Sequence, residues 1–311
     1  MKLSVVKFIK NDTSQWNDFV SGAKNGLFLF NRTYMEYHED RFTDHSLVMY
    51  KGEKIIGIFP ANENEKKIYS HAGLTFGGIL YSNEIKANEA VDLMGLVIQY
   101  YRENGFEEIN YKAIPYLYHQ YPCQEDLYAL FRHDAVLYRR DLSSAIELSH
   151  PLRFSETKRQ SIHKCGQMGM RVNENNDFSE YWVLLQSVLE KFGVKPVHTL
   201  EEIIYLKKNF NDKIKLYEAR LDEELLAGVV IYDYGKVVHT QYMGNAEKGR
   251  SLGALDFINA TLINSDFKDR AYYSFGTSTE QEGRVLNEGL VQLKEMLGGR
   301  AIANDFYKIT V

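Results

Sequence analysis

One order of elements, strand–strand–strand–helix–strand, occurs twice in this chain, and that repeat restricts the fold more than any other feature. The first copy runs from "HSLVMYKGEKIIGIFPANENEKKIYSHAGLTFGGILYS" into "ANEAVDLMGLVIQYYRENGFEEINYKAIP". The second runs from "IKLYEARLDEELLAGVVIYDYGKVVHTQYMGNAEKG" into "SLGALDFINATLINSDFKDRAYYSFGTS". In each, a strand and a tight polar turn (Lys51-Gly52-Glu53-Lys54, or Leu221-Asp222-Glu223-Glu224) lead to a second strand carrying Gly57 or Gly228. A third strand follows, then an amphipathic helix of about four turns, then a last strand. β-Branched and aromatic runs between turn residues define the strands. Val91, Met94, Val97 and Tyr101 form the apolar stripe of the first helix, and Leu252, Leu255, Ile258 and Leu262 that of the second. Shared order and similar lengths point to duplication; chance recurrence of common elements is the alternative. Helical sequence precedes each copy, at residues 14–22 and 32–41, and in "FSEYWVLLQSVLEKFG" and "TLEEIIYLKKNF", where Thr199 and Glu202 form a capping box. The expectation is an α/β (α+β) chain of two related domains, 1–150 and 151–311, each a mixed, mostly antiparallel sheet flanked by helices.

Charge and cysteine content narrow the functional classes. Across 311 residues, 37 Lys and Arg face 42 Asp and Glu, a net charge of -5. With no general basic field, duplex DNA is not an expected partner. Cys123 and Cys165 lie far apart without metal-ligand spacing, which predicts a reducing compartment and no metal; a reactive thiol is the sharper alternative. The start, "MKLSVVKFIKNDTSQW", has no apolar signal core, and no window approaches the ~20 apolar residues of a membrane span. A cytoplasmic location is expected.

The repeated order, ending in a strand parallel to the third, resembles the GNAT acyltransferase fold. There the two parallel strands splay and the gap receives the acyl donor. Coenzyme A-dependent members carry Q/R-x-x-G-x-G/A before the helix; "RSLGAL" matches at Arg250 and Gly253, with Leu255 where a small residue belongs. Two such halves in tandem resemble the Fem-type peptidoglycan-bridge aminoacyltransferases. Phe275-Gly276-Thr277-Ser278 followed by Gly289-Leu290, Lys294 and Gly298 carries that likeness, supported by "HTLEE" at residues 198–202 and by the basic stretch "KRQSIHKCGQMGM". The long charged arm of some Fem proteins is absent. The resemblance implies an acyltransferase moving an acyl or aminoacyl group to an amine on a cell-envelope precursor, an amino sugar or peptide stem. The donor would be an acyl-CoA or an aminoacyl-tRNA, and the acceptor a small molecule or sugar nucleotide. The alternatives are an acetyl-CoA-dependent N-acetyltransferase on a small amine and a catalytically inactive binding module.

The candidate residues cluster near the C-terminus. A helix over about 284–297 would bury Leu286, Leu290, Leu293 and Leu297, leaving Asn287, Val291 and Lys294 on an adjacent flank. Lys294 then suits a phosphate, or is a solvated lysine; the Fem likeness places it in the active cleft. Gly276 allows close backbone approach, and Ser278 or Thr277 caps the helix or bonds substrate. Alternation in "VVHTQYMGN" puts Val238, Thr240 and Tyr242 on one face and His239, Gln241 and Met243 on the other. In the implied fold Tyr242 sits where the strands splay, beside Tyr272 or Tyr273, as a proton donor, with His239 as a base; core filling is the plainer role for both. Glu280, Glu282 and Glu288 are candidates by position alone. Lys158, Arg159, His163, Lys164 and Arg171 form a basic helix that faces a phosphorylated substrate or solvent. In the first half His71, Gly73, Gly77 and Gly78 line an acceptor groove or mark bulges.

Overall fold

The computed structural model describes residues 1–311 as two compact units. The first contains residues 1–141, 281–284 and 303–311, and the second residues 142–280 and 285–302. No helix is long and apolar enough to cross a membrane.

In chain order the first unit contains β1 (Leu3–Lys7), α1 (Thr13–Gly22), α2 (Arg32–Met35), β2 (Thr43–Asp44), β3 (Leu47–Lys51), β4 (Lys54–Phe59), β5 (Asn62–Asn64), β6 (Lys67–Tyr69), β7 (Leu80–Tyr81), α3 (Ala87–Glu103), β8 (Glu108–Lys112) and α4 (Glu125–Arg132). One antiparallel sheet has the order β1-β3-β4-β7; a second ribbon runs β2-β5-β6-β8, with β6 and β8 parallel. The stripe of α3 packs as its periodicity predicts, with Met94, Val97 and Tyr101 in a core shared with Met49, Ile68, Ile109 and Tyr111.

β9 (Val136–Glu147) leads into the second unit, which contains α5 (Glu156–Gln167), β10 (Arg171–Asn175), α6 (Ser179–Glu190), α7 (Leu200–Asn209), β11 (Ile214–Leu221), β12 (Glu224–Asp233), β13 (Val237–Asn245), α8 (Glu247–Leu252), α9 (Ala254–Thr261), β14 (Tyr272–Thr277), a hairpin of β15 (Thr279–Glu280) and β16 (Val285–Leu286), and α10 (Glu288–Met296). The last strand, β17 (Arg300–Thr310), ends in the first unit, where Phe306–Thr310 pairs with β8. Strand order in the second unit is β10-β11-β12-β13-β14, antiparallel except for the parallel β13–β14 step. The single helix expected over 252–262 is instead α8 and α9, broken at Gly253, whose φ is 87°. A side chain at Gly253 would strike Ser161 of α5, so only glycine satisfies both the turn and the packing. Cys123 and Cys165 are buried and unbridged, and burial raises both thiols, so they serve as core residues.

Both repeats contain the same event. The parallel β6–β8 pairing ends at Tyr69 and Asn110, and the β13–β14 pairing ends at His239 and Ser274. In each, the next residue of the inner strand bridges the gap through a hydroxyl. Ser70 Oγ accepts the Lys112 N–H at 2.7 Å, and Thr240 Oγ1 donates to the Ser274 carbonyl at 3.3 Å. The first divergence is then filled by the chain itself. Gly77 lies against Ser70, Gly78 lies against Tyr111, the Ile79 N–H donates to the Tyr111 hydroxyl at 2.9 Å, and Lys112 Nζ donates to the Leu74 carbonyl. The glycines of "HAGLTFGG" are thus close-packing positions that let a loop plug the gap.

Candidate functional site

Beyond His239 and Ser274, no strand pairs with β13 on the β14 side. His239 stands at this fork, buried, with Nδ1 3.2 Å from Ser274 Oγ. Burial, reinforced by the nearby Lys294, pulls its pKa down to about 4, so the imidazole is neutral at physiological pH. Gly276, with φ 72°, follows; a Cβ there would lie 3.3 Å from His239 Cε1.

Tyr242 reaches the site by a route that strict alternation misses. Ile231 of β12 faces Thr240 but Val230 faces Tyr242, so Gln241 is the extra residue of a bulge. Val238 and Met243 therefore both pack in the core beneath α9, whereas Tyr242 lies edge-on to Trp182 of α6 with ring centroids 5.4 Å apart. Its hydroxyl is 2.6 Å from His198 Nδ1 and accepts the His198 N–H at 3.3 Å. Burial pushes the phenol up to about 12, so it carries its proton. His198 immediately precedes Thr199, whose capping box with Glu202 starts α7 as the sequence predicts. A phenol bonded to an imidazole can pass a proton in either direction. The sequence flags His198 only as part of "HTLEE"; its position before a helix cap is the local signal. Tyr272 and Tyr273 pair with Val237 and Val238, before the fork. Tyr273 is fully buried and donates to Asn259 Oδ1 at 2.8 Å.

The segment after β14 differs from expectation in its helix. α10 begins at Glu288, not near Arg284, because the β15–β16 hairpin occupies the preceding residues. Its cap is Asn287, whose Oδ1 accepts the Leu290 N–H at 3.0 Å and whose Nδ2 donates to Glu280 at 2.7 Å, so neither Thr277 nor Ser278 caps it. Leu286 and Leu293, expected in the buried stripe, are 45% and 50% exposed. The buried residue of α10 is Lys294. Its ammonium donates to the carbonyls of Gly276 (2.9 Å) and Thr277 (2.7 Å) and to Ser278 Oγ (2.7 Å). All three protons are used inside the protein, and Lys294 fixes the turn that follows β14. Burial lowers its pKa to about 8 while the three acceptors favour the charged form. Ser278 is buried and its N–H donates to the Leu142 carbonyl at 2.7 Å.

The remaining cations lie elsewhere in the second unit. Arg250 is exposed on α8, and the Gly253 N–H donates to the Gly249 carbonyl at 2.9 Å. Lys158 binds Asp256 through both carboxylate oxygens, at 2.8 and 2.7 Å, and Arg159 pairs with Glu156. The basic helix ends at Gln167, so Arg171 opens β10 instead.

Two β-β-β-α-β repeats, each with a splayed parallel pair, define the tandem GNAT-like fold. Among solved structures the chain is similar to FemX, with a TM-score of 0.71 at 8% identity over 100% of this chain and 98% of that one. It is also similar to a C-terminal domain assigned to a lysylphosphatidylglycerol synthetase of Agrobacterium fabrum (TM-score 0.64, 11% identity, 97% and 92% covered). A tandem GNAT protein from the clavulanic acid biosynthesis pathway, solved without AcCoA, gives a TM-score of 0.53 at 8% identity over 99% and 98%. No family model and no curated protein sequence matches the chain. At these identities the likeness is one of fold.

Proposed function

We propose that the second unit transfers an acyl or aminoacyl group to an amine. The observation that carries this reading is the fork at His239 and Ser274, which leaves the inner edge of β13 without a partner strand beside a proton-bearing Tyr242–His198 pair. An activated carbonyl laid along that edge finds backbone N–H groups for its oxygen. A neutral amine held nearby adds to the carbonyl, forming the C–N bond. The bond to the leaving group then breaks, and that group takes a proton from the Tyr242 hydroxyl. The phenol recovers its proton through His198 from the nitrogen that became the amide. Addition, departure of the leaving group and return of the proton all run through these side chains and the substrates.

The likeness to FemX and to the lysylphosphatidylglycerol synthetase domain supports an aminoacyl donor and a cell-envelope acceptor, such as an amino sugar or peptide stem. Aminoacyl-tRNA is then the donor and tRNA a partner, and the reaction belongs in the cytoplasm. The use of the Gly253 N–H within its own helix favours that donor over coenzyme A held at Arg250 and Gly253. The likeness to the tandem GNAT protein supports the second reading, an acetyl-CoA-dependent N-acetyltransferase acting on a small amine. The deciding experiment supplies purified protein with acetyl-CoA or with mixed aminoacyl-tRNA, each with a UDP-amino sugar, a lysine-containing stem peptide or a small amine, and seeks the amide by mass spectrometry. An amide formed only from aminoacyl-tRNA supports the first reading. Amide from acetyl-CoA selects the second. Bound donor without amide in any mixture identifies an inactive binding module and sinks both.

A further inference from the structure

Acyl transfer as proposed creates a transient charge on Tyr242. When the phenol gives its proton to the leaving group, the O–H bond breaks and the electron pair stays on the phenol oxygen. Until a proton returns through His198, that oxygen is a buried anion, which a dry site penalises unless donors face it.

The chain places such donors there. The His198 N–H donates to the Tyr242 oxygen at 3.3 Å, and the Val197 N–H and the Gln241 side-chain amide act on the same atom, each favouring its negative form. Successive backbone N–H groups that converge on one point make a concavity suited to an anion; here a neutral phenol occupies it. His198 also immediately precedes the cap of α7, a ten-residue helix whose N-terminus contributes partial positive charge. Glu202 in its first turn acts against this, with its carboxylate held on the Thr199 N–H at 2.8 Å. The other titratable groups about the phenol are the His198 imidazole, which takes part in the transfer, and Tyr181 of α6.

Gln241 meets this oxygen because of the bulge. In a regular strand, residues 241 and 242 project to opposite faces, and an amide on one cannot reach a phenol on the other. As the extra residue opposite β12, Gln241 is released from that alternation and turned toward its neighbour's hydroxyl.

We propose that Gln241 and the backbone of Val197 and His198 form a cradle for the Tyr242 oxygen in its deprotonated state, with Gln241 a positioning residue for the proton transfer. The role in transfer rests on the reading of the second unit as an acyltransferase, whereas the cradle itself is measurable without a donor.

Replacing Tyr242 with difluorotyrosine in the intact chain brings the phenol into an accessible pH range, and fluorine NMR reads its titration. Gln241→Leu is expected to make this phenol about tenfold weaker as an acid. Gln241→Glu, which sets a like charge against the anion, weakens it at least as much. Because the titration needs no turnover, it can fail while amide still forms, and amide can fail to form while it succeeds. A phenol that titrates alike with Gln241 and with both replacements, or that becomes a stronger acid in Gln241→Leu, overturns the proposal. So does a lowered melting temperature with the titration unmoved, which marks Gln241 as structural only.

Discussion

Lys294 shows what a buried ammonium needs. Two carbonyls and a hydroxyl surround it, and each receives one proton. Lys294→Met keeps much of the stem but leaves those three acceptors in a dry site without a donor. The expected loss is about 2–4 kcal/mol, read as a lower urea midpoint, with the turn at residues 276–278 losing amide protection first. Tyr242 is the opposite case. Tyr242→Phe keeps the ring against Trp182 and removes the hydroxyl that bonds both Nδ1 and the backbone N–H of His198. Stability should fall by about 1–3 kcal/mol, well short of unfolding the chain, while turnover with any active donor falls roughly 10²-fold. Turnover equal to wild type would exclude the phenol from proton transfer.

At the scale of elements, local signals were legible and pairing decisions were not. The α7 capping box and the α3 stripe lie within single helices, so short-range chemistry specifies them, and the sequence displays them. The fork between β13 and β14 lies where the resemblance to the GNAT fold implies it. The bulge at Gln241 is different: its partner strand β12 decides it, and nothing within "VVHTQYMGN" marks the extra residue. That one slip carries Tyr242 to the opposite face. α10 departs from its expected start for a related reason: Leu286 matches a helical stripe but is used by a hairpin, leaving Lys294 as the inward residue. Gly228 shows the tightness of the α6 face of this sheet, since a Cβ there would enter the Tyr181 ring. Gly228→Ala is expected to cost about 1–3 kcal/mol through overpacking, measurable as a shift in thermal midpoint.

For the whole molecule, pH is a sensitive variable. His38 and His239 are each buried with a pKa of about 4, against an ordinary value of 6.5. Above about pH 6.5 both are neutral in the folded and unfolded chain alike, and their contribution is fully present. Between there and about pH 4 the unfolded chain takes up protons that the folded chain refuses. Stability therefore declines as pH falls, by about 1.4 kcal/mol per pH unit for each histidine. His38→Gln or His239→Gln should flatten this slope in urea titrations run at successive pH values; an unchanged slope in both would show that neither imidazole is held neutral. The duplication has a stoichiometric consequence as well. A polypeptide built from two copies of one architecture invites the assumption of two equivalent receptors, but "HAGLTFGG" already sits in the first slot as a permanent tenant. Any carbonyl donor should consequently saturate at one equivalent per chain, and native mass spectrometry should never detect a doubly loaded species.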